Sequence, residues 1–163
     1  MNGRNIQADI AKSEPRKEQP GAITILLVDD DPDCRMLVSD AINQSKVSNR
    51  VFEVSNGQEA LDFLTQPRPV SLAEELIAIF LDLKLPGLGG LELLRRLRNR
   101  AGLDDIPVIV MTSSNNPDDL EECRRLKVTN YVSKPVTFTS FSKAVADVFH
   151  LPRFQPTPPS PEN

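Results

Sequence analysis

Hydrophobic and polar positions fall into two alternating kinds of segment along this chain. The first kind is a short, nearly unbroken apolar run, seen at Ile23-Thr24-Ile25-Leu26-Leu27-Val28, Ile77-Ala78-Ile79-Phe80-Leu81 and Pro107-Val108-Ile109-Val110-Met111. Runs of this length, bounded by turn residues, suit strands buried on both faces, as in a parallel sheet. Weaker runs at Arg50–Val54 and near Asn130–Ser133 predict a second and a fifth strand. In the other kind, apolar residues recur three and four apart. Cys34, Leu37, Val38, Ala41 and Ile42 do so after the first strand, and Ala60, Leu61 and Leu64 after the second. Leu91, Leu94 and Leu97 follow the third, Leu120, Cys123 and Leu126 the fourth, and Phe138, Phe141, Val145, Val148 and Phe149 the fifth. Five strands alternating with five helices predict a doubly wound α/β domain.

The punctuation agrees with this pattern. Asp31-Pro32 is a helix start, with aspartate as N-cap and proline at the first helical position. Asn56-Gly57 turns the chain into the second helix, and Pro67, Arg68 and Pro69 end it. Ser71 and Glu74 have capping-box spacing, which predicts a short extra helical turn before the third strand. Gly87 to Gly90 predict a flexible loop. The fourth helix, from about Pro117, has little apolar content, and Glu121/Arg124, Glu121/Arg125 and Glu122/Arg125 give it local support. It is expected to be the least buried helix. Residues 1–20 are polar and are expected to be disordered. Residues 21–150 form the domain, and 151–163 a proline-rich tail too short to fold alone.

Composition narrows the classes. A chain of 163 residues that is 39% hydrophobic and 26% charged has room for one globular domain. No apolar run is long enough to span a bilayer and no signal-peptide core is present, so a cytoplasmic protein is expected. At a net charge of −4 no global field draws it to nucleic acid or membrane. Arg95, Arg96, Arg98 and Arg100 on the third helix therefore read as a solvated face. Cys34 and Cys123 read as small packing residues, and one histidine, His150, leaves no zinc site or triad.

Strand ends one, three, four and five supply Asp29 and Asp30, Asp82, Thr112 and Lys134. Carboxyl ends of parallel strands share one edge of the sheet, the edge where such folds bind ligands. Three carboxylates in one pocket repel one another unless protons or a cation sit among them. Oxygen-only donors favour a hard cation, Mg²⁺ or Mn²⁺. A hydroxyl and an ammonium beside it make a site for a tetrahedral anion, and a carboxylate there can act as nucleophile to give an acyl phosphate. Each residue alone has a blander reading: a capped turn, an N-cap threonine, a surface lysine. Their joint occurrence carries the inference.

The stretches Leu-Leu-Val-Asp-Asp-Asp-Pro (26–32), Leu-Asp-Leu-Lys-Leu-Pro-Gly (81–87), Val-Met-Thr-Ser-Ser (110–114) and Tyr-Val-Ser-Lys-Pro (131–135) resemble the receiver domain of bacterial two-component response regulators. The similarity spans roughly residues 22–149. It implies a flavodoxin-like receiver fold, a five-stranded parallel sheet in order 2-1-3-4-5 with five flanking helices. It implies that Asp82 is the phosphoacceptor, that Asp30, Asp82 and the Lys84 carbonyl hold Mg²⁺, and that Asp29 acts through a bound water. Thr112 and Lys134 would contact the phosphoryl group, Tyr131 would change rotamer with them, and the Lys134-Pro135 bond would be cis. The donor would be a sensor histidine kinase or phosphotransfer protein. The 126–131 stretch resembles single-domain regulators paired with bacterial phytochrome kinases, so a bacteriophytochrome kinase is one candidate. The output would be a protein target, or a homodimer, through the face of fourth helix, fifth strand and fifth helix, with no nucleic acid and no membrane. Such a chain catalyses only its own phosphotransfer and dephosphorylation.

The chain departs from the family pattern at three places. The connection at residues 66–76 is longer, Gly89 stands where many relatives have an acid, and Lys84 replaces a common Asn or Met. Three rivals remain. An aspartate-nucleophile phosphatase would need a second acid where Lys84 stands. A flavodoxin-like carrier would need a phosphate loop where Asp29-Asp30-Asp31 stands. A receiver-like adaptor would keep the fold without the phosphorylation.

Overall fold

A computed structural model describes residues 23–44, 49–67 and 76–149. The predicted disordered segment, the turn at Ser71 and Glu74 and the proline-rich tail lie outside these residues. In chain order the elements are β1 (Ile23–Val28), α1 (Pro32–Asn43), β2 (Asn49–Val54), α2 (Gly57–Thr65) and β3 (Leu76–Asp82). There follow α3 (Gly90–Arg98), β4 (Val108–Thr112), α4 (Pro117–Arg125), β5 (Asn130–Ser133) and α5 (Phe138–Phe149). All strand pairs are parallel and the order is β2-β1-β3-β4-β5. This is the doubly wound arrangement that the alternating pattern predicts.

Period-two alternation within the apolar runs divides the core. Leu26, Val28, Ile79, Leu81, Val108 and Val110 point to one face, where Phe63 and Leu64 of α2, Leu93, Leu94 and Leu97 of α3 and Cys123 of α4 cover them. Ile25, Leu27, Phe80, Ile109 and Met111 point to the other, covered by Val38 and Ile42 of α1 and Phe141 and Val145 of α5. The Phe80 and Phe141 rings stack tilted at 5.0 Å. Truncating a side chain of either cluster to alanine costs about 2–5 kcal/mol.

The helix starts follow the cap chemistry. Asp31 Oδ1 accepts from the Asp33 amide at 2.9 Å, Asn56 from Glu59 at 2.8 Å and Asn116 from Asp118 at 2.9 Å. Two glycines are fixed by close approach. A Cβ on Gly57 would stand 2.7 Å from the Leu88 carbonyl, and one on Gly90 would collide with the Asp82 carbonyl. The loop after Asp82 is therefore clasped from both sides.

Three expectations change. Leu37 is not on the buried stripe but 39% exposed, because one residue turns about 100° around a helix and Val38, Ala41 and Ile42 already fill the inner face. Glu122 pairs not with Arg125 but with Arg95 of α3, at 2.8 Å, while Glu121 takes Arg124 at 2.7 Å. Arg98 is not solvated. It is half-buried and donates to the carbonyls of Leu126 (2.7 Å), Ile106 (2.8 Å), Asp104 (3.1 Å) and Lys127 (3.3 Å). Burial pulls its pKa down, against the attraction of Asp105 and Asp104.

Candidate functional site

The register of the sheet builds the site. Val28 of β1 is paired with Leu81 of β3, so the next residues, Asp29 and Asp82, stand side by side at the carboxyl edge. Thr112 ends β4 opposite Ser133, and the Lys134 amide donates to the Thr112 carbonyl at 2.9 Å. Asp29, Asp30, Asp82, Thr112 and Lys134 come together at this edge, whereas Tyr131 sits within β5, paired with Val110. Asp29, Asp82 and Thr112 are 0%, 4% and 1% exposed, whereas Asp30 is exposed at the mouth.

The Lys134 ammonium lies 3.0 Å from Asp29 Oδ2 and 3.0 Å from Asp82 Oδ2. Burial works against its charge, but the bonds to Asp29 and Asp82 outweigh burial and hold its pKa above the ordinary lysine value. Asp82 behaves in the opposite sense. Burial raises its pKa above the usual carboxylate value, and the bonds from Lys134 and the Lys84 amide only partly offset this. Its other oxygen, Oδ1, accepts from the Lys84 amide at 3.1 Å. The Lys134-Pro135 bond is cis, as the resemblance implied.

Asp29, Asp30 and Asp82 each offer a carboxylate oxygen within 4.8 Å of the others. Three acids, hard oxygen donors and one exposed side are a donor set that fits a divalent cation such as Mg²⁺ or Mn²⁺. Asp29 is fixed on two sides: its Oδ1 accepts from the Asp31 amide at 2.9 Å, and its carbonyl from Arg35 at 2.7 Å. Sequence reasoning missed Arg35, although its position on the first turn of α1 could have pointed to it. Beside the acids, burial and a hydrogen bond to Asp29 push the Cys34 thiol up to about 12, so it is a packed and unreactive group.

Ser114 joins the pocket to its surroundings. Its amide donates to Thr112 Oγ1 at 3.0 Å, its carbonyl accepts from Tyr131 Oη at 2.8 Å, and its hydroxyl donates to Asp119 Oδ2 at 2.8 Å. No sequence signal predicts the contact with Asp119, because loop geometry alone decides it.

Residues 25–146 match the family described as response regulator receiver domain. This chain belongs to that family. Among curated relatives of the receiver, sporulation initiation phosphotransferase F of Bacillus subtilis is 32% identical over 121 residues, covering 74% of this chain and 89% of that protein. Response regulator Rcp1 of Synechocystis is 31% identical over 124 residues, 76% of this chain and 84% of that one. Among solved structures, the bacteriophytochrome response regulator RtBRR superposes with a TM-score of 0.68 at 39% identity, covering 86% of this chain and 84% of that one. Single-domain receivers are thus among its relatives. Among the described residues of this receiver, no helix is long and apolar enough to cross a membrane.

Proposed function

We propose that this receiver is switched by phosphorylation of Asp82, with a divalent cation, and that it signals by protein–protein contact. The observation that carries the reading is the pairing of Asp82 with Lys134 at 3.0 Å inside a triad of carboxylates. Burial leaves Asp82 a carboxylate with weakened solvation, a better nucleophile than a solvated one. One of its oxygens attacks phosphorus while the phosphorus–nitrogen bond of a phosphohistidine breaks, and the imidazole leaves with the bonding pair.

Asp30, Asp82 and the Lys84 carbonyl would hold Mg²⁺ or Mn²⁺, with Asp29 acting through a water. The cation would supply positive charge against the phosphoryl oxygens, and it makes three adjacent carboxylates compatible. Lys134 then exchanges its bond to Asp82 for one to a phosphoryl oxygen, and the Thr112 hydroxyl turns to another. The event is one modification of the chain itself, with no enzymatic turnover of a substrate.

The relatedness to RtBRR supports a phytochrome-class sensor kinase in the cytoplasm as donor. The domain so read is 21–150, with tails at 1–20 and 151–163. The output surface is the α4–β5–α5 face, where Tyr131, Lys143 and Asp147 border a groove of about 360 Å³ suited to a protein target or a second copy. The test is label transfer from acetyl phosphate with Mg²⁺. Wild type gains one phosphoryl group, and Asp82→Asn gains none. An Asp82→Asn variant labelled to the wild-type level would sink the assignment.

A further inference from the structure

Helix α4 is held at its two ends by unlike devices. At its carboxyl end Arg98 forks onto the carbonyls of Leu126 and Lys127, at 2.7 and 3.3 Å, and the same guanidinium grips the α3–β4 connection at Asp104 and Ile106. Arg95 adds its 2.8 Å pair with Glu122. The one buried residue of the helix, Cys123, lies in this half.

At the amino end the attachment is slight. Beyond the helix's own cap, Asp119 is joined by one bond, from the Ser114 hydroxyl at 2.8 Å. Leu120, beside it, is 39% exposed. Ser114 is also where the strand-end groups converge, since its amide is bound to Thr112 Oγ1 and its carbonyl to Tyr131 Oη.

We propose that Asp119 is the positioning residue through which the acid pocket acts on α4, and that α4 answers as a lever pinned at its Arg98 end. This rests on the phosphoacceptor reading. When the Thr112 hydroxyl turns to a phosphoryl oxygen, the lone pairs it offers the Ser114 amide are redirected. Ser114 then either follows or loses that bond, and in both cases its hydroxyl carries the Asp119 carboxylate with it. A bond to an ionised acceptor is about twice as strong as a neutral one, so the clasp transmits the displacement. The guanidinium fork, set in four carbonyls, has no second arrangement to offer. The surface rewritten by phosphorylation is accordingly the one around Leu120, and that around Arg124 and Arg125 is left as it was.

Hydrogen exchange of the full chain, before and after acetyl phosphate with Mg²⁺, tests this, with intact mass as a separate measure of labelling. In wild type, amides 118–121 change exchange rate by about fivefold or more, the lower end of ordinary coupling, and amides 123–128 change by less. Asp119→Ala takes the label and loses the response at 118–121. Asp119→Asn, which keeps an acceptor oxygen, recovers it. Arg98→Lys lets the response spread to 123–128. A labelled Asp119→Ala protein that responds like wild type overturns the inference, as does an even change along all of α4 in wild type. A wild-type chain that takes no label overturns the phosphoacceptor reading and this one together.

Discussion

Lys134 and Arg98 are both half-buried cations, at opposite edges of the same sheet, and they meet opposite surroundings. Lys134, at the carboxyl edge, faces the carboxylates of Asp29 and Asp82. Arg98, at the amino edge, faces four backbone carbonyls. Carbonyl dipoles satisfy the fork of a guanidinium without adding a charge that must itself be balanced. Carboxylates do the reverse. They leave the carboxyl edge with acids to spare, and burial, with a smaller push from Asp29, raises the pKa of Asp82 there. One edge is saturated and fixed, while the other is charged and ready to exchange partners. The unsatisfied edge is the one to which the proposed function is assigned.

The largest effect is expected where the saturated edge is broken. Arg98→Ala removes every bond of the fork and leaves the Leu126 and Ile106 carbonyls to find water. A loss of about 2–3 kcal/mol is expected in denaturant unfolding. Arg98→Lys recovers little, since a point ammonium cannot span four acceptors. A lysine variant as stable as wild type would mean that charge alone matters there.

Breaking the unsatisfied edge should act on cation binding before it acts on the fold. Asp30 is exposed and its loss empties no cavity, so Asp30→Ala should leave unfolding unchanged in the absence of metal. Its Mg²⁺ affinity should fall by at least about tenfold, or 1.4 kcal/mol. The chain has no tryptophan, so calorimetry is the measurement of choice.

The pH dependence sharpens the contrast further. The folded-state pKa of Asp82 is raised above its unfolded value. Its contribution to stability is therefore fully present below the ordinary aspartate pKa and is lost as pH rises through the folded value. In metal-free buffer, Asp82→Asn should thus be more stable than wild type at neutral pH, by about 1 kcal/mol, as when a destabilised functional site is relieved. The gap should close on acidification. Thermal unfolding across pH checks the sign, and a gap that widened in acid would contradict the electrostatic account.

These two edges were not equally legible in the sequence. Asp29, Asp82, Thr112 and Lys134 could be placed because an apolar run ends at a definite residue and parallel strands end together. Arg98 could not. It sits among Arg95, Arg96 and Arg100, and periodicity cannot show that one of four arginines turns inward to meet carbonyls six to 29 residues away. Glu122 misled for a related reason. Local i,i+3 spacing suggested Arg125, while the packing of α3 against α4 offered Arg95. Helical spacing likewise put Leu37 on the core stripe, although three neighbours already filled it. Patterns report which residues lie on a face, and contacts between faces are settled by packing.

The smallest effect concerns the lifetime of the phosphorylated state, where the two positions flanking Asp82 and Thr112 differ. Ser114 follows Thr112 by two residues, and its hydroxyl is already committed to Asp119. It is neither bulky nor free to orient water, so Ser114→Ala should leave phosphoryl decay unchanged. Lys84 follows Asp82 by two, and only its amide is engaged, at 3.1 Å from Asp82 Oδ1. Its exposed ammonium makes no ion pair with any described residue, so it can reach the phosphoryl oxygens that appear beside it. Solvent screening limits such an exposed charge to about 1 kcal/mol at most. Lys84→Ala should therefore speed decay by a factor of about two to five, followed as loss of label in Mg²⁺ buffer. The same experiment at high salt should shrink the difference, because screening acts on the lysine and not on the buried acids. Equal decay of wild type and Lys84→Ala at low salt would leave Lys84 a solvated charge, and the path of water to phosphorus would then be governed by the buried groups alone.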